Sequence, residues 1–177
     1  MDASDSKDAS GTNVVLVSME GDRFEVPLKV AQMSDLVKTM VDPEEIDEDD
    51  DDQDDHEVPL VNVKRHVLSK VIEYCKHHVD SPPKEITKPL TSADLSKLVS
   101  DWDAKFVNVE QELLFELILA ANYMDIKPLL DLTCAKVASM IKGKSPEDIR
   151  RTFNIENDFT PDEESQVRDE NKWCEDS

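Results

Sequence analysis

Glycine is almost missing from this chain, with three in 177 residues, at positions 11, 21 and 143. A dinucleotide-binding fingerprint needs three glycines within one short turn, so that class of cofactor site is excluded. Gly143-Lys144-Ser145 resembles the end of a phosphate-binding loop. That loop also needs a glycine five positions earlier, where Ala138 stands, and a strand before it, where the pattern reads helix. Cysteine is equally sparse. Cys75, Cys134 and Cys174 are odd in number, far apart and outside any C-x-x-C. Reduced thiols in a cytoplasmic or nuclear protein are expected. Aromatic residues make up only 5%, so aliphatic side chains must fill the core. Long apolar runs are absent too. The most apolar stretch, Leu113 to Met124, contains Glu116 and is about half the length a bilayer requires. The first residues are acidic, and no signal peptide is visible.

Basic residues are in deficit: 20 Lys and Arg face 41 Asp and Glu, a net charge of −21. Twelve of the acids fall between Asp42 and Glu57, which leaves 29 acids against 20 bases elsewhere, still −9. Such a surface repels a phosphate backbone, so nucleic acid is not an expected partner. A basic protein partner and simple solubility are both compatible with it. The acidic run lacks the spaced glycine and terminal glutamate of a calcium loop and reads as a solvated, disordered loop.

Residues 1–12 read as a flexible tail. Val14–Val17 and Arg23–Val26 are strands, and Glu20-Gly21-Asp22 between them makes a hairpin. Ser34 or Asp35 can cap a short helix. Val58-Pro59-Leu60 reads as an edge strand, because proline cannot donate to a ladder. Asn62 can cap a helix over 63–78 with its apolar stripe on Val67, Leu68, Val71, Ile72 and Cys75. Residues 79–100, with Pro82, Pro83 and Pro89, read as a linker loop with a helical turn near 94–99. The spacing then predicts a helix over 110–124 with almost no polar face, which places it at the centre of the domain, covered all round. A second helix runs to about Lys142, with Pro128 in its first turn and Gly143 as its stop. Its apolar residues span an arc of about 140°, wider than one packing seam. Core alone, or core plus a groove for a partner's amphipathic helix, both fit that arc. Ser145-Pro146-Glu147-Asp148 and Thr160-Pro161-Asp162-Glu163 share one pattern of cap, proline, acid, acid, and each predicts a short helix.

Candidate chemical sites are few. Neighbours on a helix point about 100° apart, so His77 and His78 do not share a metal site easily, and surface histidines at a helix end are expected. A Cys75–His catalytic pair lacks an orienting third group. Trp173, in a helix of charged residues, either packs on its own domain or anchors a partner.

Leu114–Tyr123 (LFELILAANY), Met140–Lys144 (MIKGK), Phe153-Asn154-Ile155, Asn157–Thr160 and Gln166–Cys174 closely resemble the Skp family. That family comprises the S-phase kinase-associated adaptors of SCF ubiquitin ligases. The resemblance covers roughly residues 13–177. It implies a BTB/POZ-like α/β fold, α+β in layout, with a small sheet and a helical bundle over 13–142. A helical F-box-binding extension over 143–177 carries two further helices. It implies a non-enzymatic adaptor without cofactor or metal, bridging a cullin scaffold with its RING subunit and F-box proteins; whether the free chain also forms a weak homodimer stays open in the sequence. Cullin contact falls by resemblance on Asn122 and Tyr123. The F-box surface falls on Leu130, Cys134, Val137, Ile141, Ile149, Phe153, Ile155 and Trp173. Pro161 stands where some protist relatives are hydroxylated and glycosylated. A self-associating BTB/POZ module and an acidic chaperone of basic proteins are the competing readings.

Overall fold

A computed structural model describes residues 13–41 and 57–172. The tail at 1–12, the acidic stretch 42–56 and Trp173 with the four residues after it lie outside the described residues. The chain divides into two compact units, Met1–Ser139 and Met140–Ser177.

In the first unit, β1 (Asn13–Val17) pairs antiparallel with β2 (Arg23–Pro27) and parallel with β3 (Glu57–Pro59), in the order β2-β1-β3. Alternation sends Val14 and Leu16 to the face that Val26 and Val58 share, and all four are buried. The hairpin turn is closed by Ser18: its carbonyl accepts from Gly21 N–H at 2.9 Å and its hydroxyl from Asp22 N–H at 3.1 Å. Gly21 has φ +85, a conformation that side-chain-bearing residues rarely adopt. Pro59 lies on the edge strand, where its missing N–H is harmless. Glu57, grouped above with the acidic run, starts that strand opposite Val15.

Two short helices follow β2: α1 (Leu28–Ala31) and α2 (Asp35–Met40). Ser34 caps α2 by accepting from Val37 N–H at 3.2 Å, and its hydroxyl donates to the Met124 carbonyl. After β3, α3 (Arg65–His78) buries Val67, Leu68, Val71, Ile72, Tyr74, Cys75 and His78. Asn62 does not cap it. The helix begins two residues later than expected, with Lys64 at the cap position and no side-chain cap bond.

Segment 79–100 contains one 3-10 turn, Leu95–Lys97, capped by Asp94. Then come α4 (Asp101–Phe106), α5 (Gln111–Tyr123) and α6 (Lys127–Ile141). The core runs continuously from the sheet through α3 to Leu117, Ala121, Ile126, Leu129 and Leu132. In the second unit, α7 (Pro146–Phe153) and α8 (Pro161–Glu170) each start on the expected cap. Ser145 accepts from Asp148 N–H at 3.2 Å, and Thr160 and Glu163 form a reciprocal capping box.

Two expectations fail on burial. His78 is not a surface residue. Its Nε2 meets Asp103 Oδ1 at 2.8 Å and its Nδ1 donates to the Ser81 carbonyl at 2.7 Å. Its neighbour His77 is exposed and stacks on Trp102, centroids 3.8 Å apart. Nor is α5 covered all round: Leu119 is 69% exposed and Phe115 41%.

Candidate partner-binding surfaces

Helix α6 has two unlike faces. Leu129, Leu132, Thr133 and Ala135 are buried. Thr133 satisfies its hydroxyl locally, donating to the carbonyls of Leu129 at 2.9 Å and Leu130 at 3.0 Å. Leu130, Cys134, Val137 and Ile141 recur at spacings of four, three and four, a stripe about 60° wide. Exposure alternates along the stripe: Leu130 packs on the rim of the core, Cys134 is exposed, Val137 is half-buried and Ile141 is exposed. The arc of about 140° thus resolves into a core seam and an open apolar seam. Burial and, second, the Asp131 charge raise the Cys134 thiol above its ordinary range, so it behaves as a small apolar group there.

The second unit holds the other expected F-box residues. Neither α7 nor α8 has a buried residue. Ile149 and Phe153 are half-buried, whereas Ile155, Phe159 and Val167 are 54%, 44% and 40% exposed. The two helices are tied by polar contacts instead. Arg168 Nη2 lies 2.6 Å from Glu147, and Arg150 Nη1 lies 3.1 Å from Glu164. The Arg150 guanidinium also sits over the Phe159 ring at 5.7 Å. A cavity of about 550 Å³ opens between them, walled by Phe159, Val167 and the two arginines. Ion pairs of this exposure contribute little, so the apolar groups beside them still lack cover. Asn154, at φ 52, stops α7 and turns the chain into the exposed Ile155. Pro161 is exposed at the first position of α8. Trp173 lies outside the described residues, so its role rests on sequence alone.

On α5, Asn122 is exposed, but Tyr123 is half-buried and packs on the core. Phe115, Leu119 and Asn122, four and three residues apart, instead form one open stripe. Beside it Glu116 accepts from Lys64 Nζ at 2.6 Å and meets His66 Nε2 at 2.7 Å. The Lys64 bond, above all, holds the Glu116 carboxyl below its usual range. Phe115 and Leu119 escaped the sequence reading because a helix apolar on every side does not reveal which side stays open. The available signal was Glu112 and Glu116, the two carboxylates of the helix, which mark its wet side.

The candidate thiol and imidazole chemistry finds no support. Cys75 is buried, which pushes its thiol up to about 12, and both His78 nitrogens are occupied. Among the described residues no three His, Cys, Asp or Glu side chains gather to hold a metal ion, and no helix is long and apolar enough to cross a membrane.

A POZ-type α/β domain with uncovered apolar stripes on its helices defines a protein-docking module. Residues 12–80 match the model of the Skp1 family tetramerisation domain, and residues 127–174 match that of the Skp1 family dimerisation domain. An S-phase kinase-associated protein 1 homolog from Tetrahymena thermophila is 53% identical over 171 residues, 96% of this chain and 98% of its own length. The E3 ubiquitin ligase complex SCF subunit sconC of Emericella nidulans is 52% identical over 167 residues, 92% and 96% of the two chains. SKP1-like protein 11 of Arabidopsis thaliana is 53% identical over 166 residues, 93% and 98%. The chain belongs to the Skp1 family.

Proposed function

We propose that this chain is the adaptor subunit of an SCF-type E3 ubiquitin ligase. It bridges a cullin scaffold, with its RING subunit, and F-box substrate receptors, in the cytoplasm and nucleus. The observation that carries this reading is the stripe Leu130, Cys134, Val137 and Ile141, left uncovered on a helix whose opposite face is core. An amphipathic helical hairpin covers such a stripe, with anchors three and four residues apart. Ile149, Phe153, Ile155 and Trp173 extend the F-box surface in this reading. The open α5 stripe, Phe115, Leu119 and Asn122, with Tyr123 at its edge, takes the cullin. Residues 13–142 form the POZ-like domain and 143–177 its F-box-binding extension. Pro161 is the modification site in this scheme.

The chain makes and breaks no bond itself. Its contribution to ubiquitin transfer is to hold substrate and transfer enzyme in one geometry, which raises their effective concentration. Light scattering of the full chain, mixed with an F-box hairpin peptide and a cullin N-terminal domain, tests this. A complex holding one copy of each supports the bridge. A chain that only self-associates, or whose binding collapses in salt, points to a homo-oligomeric POZ module or an acidic chaperone.

A further inference from the structure

Asn171 lines the 550 Å³ cavity between α7 and α8, and it is also where α8 stops. Its N–H donates to the Val167 and Arg168 carbonyls at 3.2 and 3.3 Å, and its carboxamide nitrogen donates to the Val167 carbonyl at 2.8 Å. The chain therefore leaves helical geometry beside Val167, itself a wall of the cavity. Trp173 comes two residues after Asn171. Two residues span at most about 7 Å, so an indole at that position is within reach of the cavity.

The walls suit an indole. A space of roughly 150 Å³ holds benzene in other proteins, so about 550 Å³ has room for a bicyclic ring. Phe159 and Val167 supply apolar wall, 44% and 40% exposed. The Arg150 and Arg168 guanidiniums direct N–H groups at Glu164 and Glu147. A guanidinium bonded through its edge can still stack its face on an aromatic ring, and tryptophan is the strongest partner for that contact. The two glutamates balance the two arginines, so the site favours a neutral group over an ion. Cover is also needed. Neither α7 nor α8 has a buried residue, and helices of eight and ten residues are marginal without a packed face.

We propose that Trp173 docks into this cavity of its own chain, its indole against Phe159 and Val167 and beside the two arginines. The occupant is intramolecular, because so short a tether holds the indole at an effective concentration of about millimolar, above that of any second copy in dilute solution. The docked indole closes the second unit of the free chain. A bound F-box hairpin then draws it out, since the same indole belongs to the F-box surface. That release rests on the adaptor reading above, whereas the docking does not.

The test is NMR on the full-length chain carrying 5-fluorotryptophan and labelled methyls. Trp173→Ala assigns the two fluorine signals by removing one of them. The expected result is NOEs from the Trp173 indole to the Val167 methyls and the Phe159 ring, with its fluorine signal shifted from its position in urea. Val167→Asp and, separately, Phe159→Ser should abolish the NOEs and return that signal to its urea position. The Trp102 signal, in the first unit, should stay where it is. A Trp173 signal already at its urea position in the unmodified chain would overturn the docking. So would a signal that neither substitution moves, or NOEs found only between labelled and unlabelled copies. An F-box hairpin peptide should then erase the indole–Val167 NOEs. A hairpin that binds and leaves them intact overturns the release. A hairpin that fails to bind at all counts against the adaptor reading, while the NOEs of the free chain still decide the docking.

Discussion

His78 Nε2 lies 2.8 Å from Asp103 Oδ1, with both side chains 3% exposed. The Ser81 carbonyl can only accept, so the Nδ1 facing it carries a hydrogen. This pair fastens the end of α3 to α4. Asp103→Ala strands a buried imidazole, and we expect a loss of about 3 kcal/mol in urea unfolding. A change below about 1 kcal/mol would mean that the pair is replaceable by packing.

The two faces of α6 should separate in mutants. Val137→Asp on the open seam should weaken F-box hairpin binding at least ten-fold in calorimetry and shift stability by under about 1 kcal/mol. Leu129→Ala, on the fully buried side, should cost about 3 kcal/mol of stability. Equal destabilisation by both would show that the seam is covered in the free chain.

For the cullin side, Leu119→Asp with Asn122→Lys is the clean pair. Both positions are exposed, so the fold should be unaffected while a cullin pull-down fails. Including Tyr123→Lys would confuse the result, since Tyr123 packs on the core.

Alkylation offers a footprint. Iodoacetamide at pH 8 should label exposed Cys134 well before Cys75, whose thiol is held up to about 12 by burial. An F-box hairpin bound on the α6 seam should protect Cys134. Peptide mass mapping reads both effects.

The α8 cap carries a pH dependence of known sign. The Thr160 backbone N–H, and then its hydroxyl, hold the Glu163 carboxyl below its ordinary 4.5. The folded form thus binds the proton more weakly than the unfolded form. The cap's contribution is present above pH 4.5 and fades as pH falls through the lowered value. Helicity assigned to α8 by NMR should decline in that acid window, and Thr160→Ala should lower it at pH 7 as well. That substitution removes a cap worth about 1 kcal/mol.

What the sequence revealed divides by range. Ser145, Thr160, Gly21 and Gly143 act within four residues of themselves, and each does what its local chemistry predicts. Asn62 shows the limit even there, because the chain completes a turn before α3 begins and Lys64 takes the cap position. His78 was misplaced because its partner Asp103 lies far along the chain, beyond any periodicity. The apolar pattern of α5 counted enough hydrophobic surface for burial but contained nothing about which neighbours would arrive. Phe115 and Leu119 are therefore findings of the structure, as is the division of α6 into two seams.

The central strand takes its antiparallel neighbour from the next few residues and its parallel neighbour from a segment starting only at Glu57. During synthesis the hairpin can close early, while the other edge of β1 stays unpaired until β3 has left the ribosome. Closing that long connection slows folding more than it weakens the finished domain. A nascent chain halted before Glu57 therefore presents a bare strand edge to its surroundings, the feature through which unfinished β-proteins aggregate. Ribosome-associated chaperones have most to protect in that interval.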